Sequence, residues 1–235
     1  MTRAHAEPPS PILFAPAHRS GWRAQRVLVV GAGLSGAVVA RELADAGHRV
    51  TVIEARDHLA GNCHTERDAA TGVMEHRYGP HIFHTDDAEV WRYVNRFAQF
   101  QPYEHRVRTV AQGQVYTMPV SLMTLCQIRG AQMSPEAARA WLAAHCVGGH
   151  RAPRTFEEAA LSRVGPRLYE LLFKGYTEKA WGRSAREVPV SVFERIPIRF
   201  DYDDTYFDHT FSGLPKAGYT AMVERMLAHP GIEVV

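Results

Sequence analysis

Cysteine is scarce in this chain: Cys63, Cys126 and Cys146 are the 3 among 235 residues. An odd count without paired spacing argues against a disulfide framework and fits a reducing, cytoplasmic compartment. Neither charge sign dominates. The 27 Lys and Arg against 25 Asp and Glu leave a formal net charge of +2, too small an excess to argue for a nucleic-acid partner. No apolar run is long enough to cross a bilayer. The 13 histidines invite a metal reading, but neither HExxH nor CxxC occurs, so no metal site is expected.

What is present is ordinary globular composition, 46% hydrophobic and 22% charged, enough for one large domain or two smaller ones. Residues 1–25 are rich in Pro, Ala, His and Arg, lack periodicity and read as a disordered leader. Order begins at Arg26. RVLVV (26–30) is almost wholly apolar, as a strand buried on both faces should be. After GAGLSG, the run AVVARELADAG sets Val38, Val39 and Leu43 on one helical face, and Gly47 supplies a stop. RVTVIE (49–54) is a second buried strand, so the opening is a βαβ unit.

Further along, Asp86 or Asp87 can cap a helix running to about Ala98. Residues 105–120 alternate and turn at Gln112-Gly113, the pattern of a hairpin. Helices are expected over 134–146, over 155–165 with a capping box from Thr155 to Glu158, and from Pro166 to about Lys174. After Glu187, VPVSVFERIPIRF reads as a loop entering a strand. Residues 218–231 read as a capped helix, and IEVV as the start of another buried strand. The end thus looks like an interrupted repeat of the opening.

The stretch Gly31-Ala32-Gly33-Leu34-Ser35-Gly36 carries the first chemistry. Its first glycine allows a tight turn, the second lets a pyrophosphate approach the backbone, and the third lets the helix pack on the strand. The helix N-terminus then offers N–H donors to phosphate. Glu54 ends the second strand, where a carboxylate accepts from ribose hydroxyls. The following ARDHLAGN resembles the extended FAD signature of glutathione-reductase and amine-oxidase-like flavoproteins, which implies that Arg56 and the turn Gly61-Asn62 lie along the dinucleotide. Ala60 stands where the signature has the first of two glycines.

Two further stretches stand out. YGPHIFHT (78–85) sets His81 and His84 around Ile82 and Phe83. These read as hydrogen-bonded histidines of a buried strand, as a two-ligand metal site lacking a third ligand, or as histidines that tune a flavin. FKGYTEKAWGR (173–183) mixes Tyr176 and Trp181 with Lys174, Glu178, Lys179 and Arg183. That is too charged for a core helix and too aromatic for a plain surface loop.

In order, GPHIFHT, KGYTEKAWGR, ERIPIRFDYDDTYF and LPKAGYTAMVERML behind the glycine turn resemble bacterial UDP-galactopyranose mutases. The resemblance implies an α/β chain with a Rossmann-like FAD-binding βαβ fold, an inserted helical domain and part of an antiparallel sheet. Its segments would be a leader (1–25), FAD-binding domain (26–104), hairpin and connection (105–130), helical substrate domain (131–187), mobile loop and sheet (188–217) and a return to the FAD-binding domain (218–235). It further implies FAD held by Gly31, Gly33, Leu34, Ser35, Gly36, Glu54, Arg56, Gly61, Asn62, His81 and Ile82. UDP-galactopyranose or UDP-galactofuranose would meet His105, Leu172, Phe173, Tyr176, Thr177, Trp181, Arg195 and Tyr206.

In that picture Tyr176 stacks on uracil, Arg195 arrives on a mobile loop to pair with the diphosphate, and Tyr206 donates its phenol to it. Arg195, with His81 and His84 beside the flavin, makes up the expected catalytic set. The family's reaction is redox-neutral yet needs reduced FAD, through a covalent adduct between flavin N5 and the sugar. The chain departs from the family at His105, commonly asparagine, and at Leu172, often aromatic. The family's chains extend past the equivalent of Val235, so this chain is expected to be a fragment, weak in FAD binding and in turnover. A flavin amine-oxidase-like oxidoreductase and a non-catalytic nucleotide-binding remnant are the alternatives, and a homodimer stays open.

Overall fold

The computed structural model describes residues 23–148 and 152–235, so the leader lies outside the described residues except for 23–25. The chain forms two compact units, one from the residues up to Tyr103 together with Thr210–Val235, the other from Glu104–His209.

The first unit opens as the hydrophobic pattern predicts, with β1 (Arg26–Val30), α1 (Leu34–Asp45) and β2 (Arg49–Ile53). β1 and β2 run parallel, Val27 opposite Val50. Ala37, Ala40 and Ala44 of α1 are buried, and their small side chains let the helix lie close to the strands. β1 is not buried on both faces, as its composition suggested: Leu28 and Val30 are 60% and 77% exposed. Among the described residues of this unit, helices cover the other face alone, where Val50 and Val52 are buried. A short antiparallel pair follows, β3 (Thr65–Arg67) and β4 (Met74–His76), then β5 (Phe83–Thr85). α2 (Ala88–Asn95) is capped by Asp87, whose Oδ1 accepts from the Glu89 and Val90 amides at 2.7 and 3.1 Å. It ends before Ala98 because Arg96 and Phe97 close a tighter turn on Tyr93 and Val94. β6 (Phe100–Pro102) completes this passage.

The second unit begins with the expected hairpin, β7 (Val107–Ala111) and β8 (Gln114–Met118). Gln112 and Gly113 both have positive φ, +50° and +76°, as a two-residue hairpin turn demands. α3 (Leu122–Arg129) was not foreseen. Ser121 and Thr124 cap it reciprocally, and Gly130 ends it in the left-handed region. α4 (Pro135–His145) and α5 (Phe156–Arg163) follow their Ser134 and Thr155 caps. The expected capping box is displaced: Glu158 Oε2 accepts from the Arg154 amide at 2.7 Å, one residue before Thr155.

The helix expected to stop at Lys174 instead continues. α6 (Gly165–Leu168) runs into a wide π-turn over Tyr169–Lys174 and then α7 (Gly175–Trp181). The aromatic, charged stretch is therefore helical. α8 (Val190–Glu194) replaces the loop expected after Glu187. Phe193 anchors it, fully buried and edge-on to Phe156 and Phe173 at 5.2 and 5.5 Å. The strand expected beyond it reduces to one bridge, Val120 with Ile198.

On returning to the first unit the chain forms β9 (Phe211–Pro215), α9 (Gly218–Leu227) and β10 (Ile232–Val234). β9 lies antiparallel between β5 and β6, a small sheet in keeping with the antiparallel part that the resemblance implied. α9 is shorter than 218–231, and β10 joins the free edge of β2 in parallel, giving the order β1-β2-β10. No helix among the described residues is long and apolar enough to cross a membrane.

Candidate functional site

Each unit carries one candidate site. In the first, the turn after β1 is built by its glycines. Gly31 has φ +97° and its amide donates to the Ile53 carbonyl at 2.7 Å, tying the turn to β2. A Cβ on Gly36 would stand 1.9 Å from the Gly31 carbonyl oxygen, so α1 meets the turn at a distance that only glycine permits. Gly33 caps α1 with no side-chain acceptor, which leaves the first-turn amides of Leu34, Ser35 and Gly36 the donors that such a helix end turns toward an anion.

Glu54 follows β2 directly, and its carboxylate is engaged within the chain. Its Oε2 accepts from the Ala32 amide at 2.7 Å and its Oε1 from the Arg56 amide at 3.1 Å. The Ala32 amide, then that of Arg56, holds the Glu54 carboxyl below the usual range. Arg56 Nη2 donates to Asn62 Oδ1 at 3.0 Å and its guanidinium lies 4.8 Å over the Tyr78 ring. The turn at Ala60-Gly61 closes on the glycine loop: Ala60 bridges Gly33, and its amide donates to the Ala32 carbonyl at 2.9 Å. Gly31, Gly33, Gly36, Glu54, Arg56, Gly61 and Asn62 are thus brought together. A dinucleotide fits these residues: a bare helix end for its phosphates, a carboxylate beside it, and a close backbone approach.

His81 Nδ1 donates to the Gly79 carbonyl at 2.9 Å, which fixes the tautomer and leaves Nε2 as the acceptor nitrogen of the neutral ring. Ile82 is half-buried beside it. His84 is in β5, opposite Ser212 of β9. Among the described residues no group of three His, Cys, Asp or Glu could hold a metal ion.

In the second unit the π-turn decides which rings face out. In an unbroken α-helix Leu172 and Tyr176, four apart, would share a face. Here Leu172 and Phe173 are buried, 7% and 3% exposed, whereas Tyr176 is 77% and Trp181 48% exposed. The wide turn over Tyr169–Lys174 shifts the phase between them. Leu172 and Phe173 therefore pack in the core, while Tyr176 and Trp181 stay open to water. Thr177 is also buried. Arg195 is exposed at the C-cap of α8. Tyr206 is half-buried, and burial pushes its phenol up; the Tyr176 phenol adds to this and the Arg195 charge opposes it. Those three side chains therefore feel one another. His105 stands edge-on to Tyr206 at 5.6 Å and parallel to Phe207 at 5.9 Å.

Sequence reasoning missed the ion pairs beside this face, Arg106 and Arg108 with Asp204. The signal was there in RVR on an alternating strand and the acidic run DYDD.

Two family models match: UDP-galactopyranose mutase over residues 171–235 and NAD(P)-binding Rossmann-like domain over 29–97. The chain is 47% identical over 210 residues to a probable UDP-galactopyranose mutase of Klebsiella pneumoniae, covering 89% of this chain and 55% of that one. It is also 47% identical over 208 residues to the dTDP-fucopyranose mutase of Escherichia coli, covering 88% and 55%. A crystal structure of reduced UDP-galactopyranose mutase shares the fold at TM-score 0.69 and 15% identity, over 91% of this chain and 48% of the other. The chain spans about half the length of the curated relatives it matches. With a glycine turn of the dinucleotide-binding kind inside one matched segment and the aromatic helix inside the other, the chain is similar to the N-terminal portion of UDP-galactopyranose mutases.

Proposed function

We propose that this chain carries the cofactor-binding and nucleotide-binding elements of a mutase that interconverts UDP-galactopyranose and UDP-galactofuranose. The observation that supports it most is the exposure of Tyr176, 77%, on a helix whose neighbours Arg195 and Tyr206 offer a guanidinium and a phenol. An aromatic face left open to water beside two diphosphate-binding groups suits a nucleobase and its phosphates.

FAD is the dinucleotide of this reading. Gly31 to Gly36 with α1 would hold its pyrophosphate, Glu54 its ribose, and Arg56 with Asn62 the flank. When bound and reduced, the flavin supplies an electron-rich nitrogen suited to bond formation at a sugar's anomeric carbon. The remaining work falls to the chain's own residues. Tyr176 positions the base and Trp181 lines the pocket near the sugar, which together fix where the sugar stands. Arg195 and Tyr206 stabilise negative charge as UDP departs and hold it for return. His81, with Nδ1–H tied to the Gly79 carbonyl, is held in one ring orientation. No side chain is needed as the nucleophile.

A second reading is favoured by the equal identity to the dTDP-fucopyranose mutase. A 6-deoxy sugar on a thymidine diphosphate would use the same stacking and diphosphate contacts. The test is conversion of UDP-galactofuranose and of dTDP-fucofuranose by the flavin-loaded protein, with and without dithionite. Conversion of UDP-galactofuranose after reduction alone supports the proposal. Conversion of the deoxy sugar alone moves the substrate. Oxygen consumption with an amine would place the chain with the oxidases, and UDP binding without turnover would make it a nucleotide-binding remnant.

A further inference from the structure

Tyr206 stands on a segment held from two sides within its unit. Arg199, with a side chain only 10% exposed, donates to the Asp203 carbonyl at 3.4 Å, to the Thr205 carbonyl and to the Asp208 carboxylate. On the other flank Asp204, 14% exposed at its side chain, accepts from Arg106 at 2.8 Å and from Arg108 at 2.7 Å. Arg106 and Arg108 flank Val107, the first residue of β7, and their two-residue spacing puts both on one face of the extended chain. Between these grips the Tyr206 amide donates to the His105 carbonyl at 2.7 Å, and Arg106 bridges Thr205. Tyr202, just ahead of the gripped stretch, is 59% exposed.

A shielded carboxylate that accepts from two guanidiniums is more than an incidental surface pair, since removing one partner leaves charge without compensation. Both grips close on residues 203–208, and Tyr206 is the aromatic side chain of that stretch that feels Tyr176 and Arg195. We infer that Asp204 and Arg199 are positioning residues, which set where the Tyr206 phenol stands and do not themselves touch substrate. The effect on nucleotide affinity rests on the reading of Tyr206 as a diphosphate contact; the effect on the phenol does not.

The phenol's surroundings give the readout. Burial raises its titration, Tyr176 raises it further and Arg195 lowers it, with His105 edge-on to the ring. Ultraviolet difference titration of the 1–235 protein against Tyr206→Phe isolates this one tyrosine from the other 8. In Asp204→Asn and in Arg108→Gln, the latter at a half-exposed side chain and so tolerant of change, the Tyr206 transition should fall toward the ordinary tyrosine range with circular dichroism unchanged. UDP affinity, by calorimetry, should drop about tenfold in each, and no further when combined with Tyr206→Phe. Asp204→Glu should recover part of both. A transition that stays in place in both folded variants overturns the inference, whatever UDP does. Losses that add to that of Tyr206→Phe overturn it too, because they mark general stabilisation. Full UDP affinity in Tyr206→Phe alone would sink the diphosphate contact, and the titration would still decide positioning.

Discussion

Ala60 is the residue at which local backbone and side chain disagree. Its φ is +71° and it is 1% exposed, in the turn that closes on Gly33. An L side chain in that region costs about 1 kcal/mol, which glycine would not. Ala60→Gly should therefore stabilise the fold by about 1 kcal/mol, read as a rise in denaturation midpoint; a lower midpoint would mean that the methyl packs better than its backbone strains. At the aromatic face, Trp181→Ala should weaken UDP binding, since a ring 48% exposed has little core to lose; unchanged affinity in calorimetry would return it to structural duty. Under the proposed function, Arg195→Ala should raise KM and cut kcat together in the reduced, flavin-loaded protein, and near-normal turnover would remove it from the diphosphate. The glycines and Glu54 were legible in sequence because each answers a steric or hydrogen-bonding demand made by its immediate neighbours. Leu172 and Phe173 were not, because their burial depends on the phase of a wide helical turn that no residue type announces.

Elements were read well where periodicity and caps agree. α1, α4, α5 and the hairpin of β7 and β8 all carry such signals, from Gly47 to Ser134, Thr155 and Gln112-Gly113. α8 was misread because Pro189 and Pro197 bracket a five-residue helix, too short for an apolar stripe to show. What holds it is tertiary: Phe193 lodged between Phe156 and Phe173. Phe193→Ala should cost about 3–5 kcal/mol in urea unfolding, and a loss under about 1 kcal/mol would mean that the site collapses around the gap. The antiparallel sheet of β5, β9 and β6 was implied by the family resemblance, but β6 and β9 themselves escaped a reading from residue pattern for a related reason. Its strands are three to five residues long, and β9 meets its partners from more than a hundred positions away.

At the scale of the whole molecule, buried phenols tie stability to alkaline pH. Burial, the first cause in each case, raises Tyr93, Tyr169 and Tyr219 well above the unfolded value of 10.0. Above that value the unfolded chain gives up protons that the folded chain keeps. Their contribution is thus complete below pH 10 and is lost as pH rises through the folded values. Denaturation midpoints should fall steadily above pH 10, with a shallower fall in Tyr169→Phe; a flat profile would deny that these phenols stay protonated in the fold. The division into two units was partly legible, as an α/β opening interrupted by helices and resumed at the end. Where the interruption begins and ends is a matter of strand pairing. The chain departs after β6 and re-enters at β9, which pairs with β6 with Pro102 opposite Gly213. The Ser212 hydroxyl also donates to the Tyr103 carbonyl at 2.9 Å. Departure and re-entry are thus hydrogen-bonded neighbours, so the 106 residues from Glu104 to His209 hang from a doorway one strand spacing wide. A tight hairpin of a few residues could bridge that doorway, which makes the stretch a cassette that evolution could lengthen, shorten or exchange while the frame around it keeps its register.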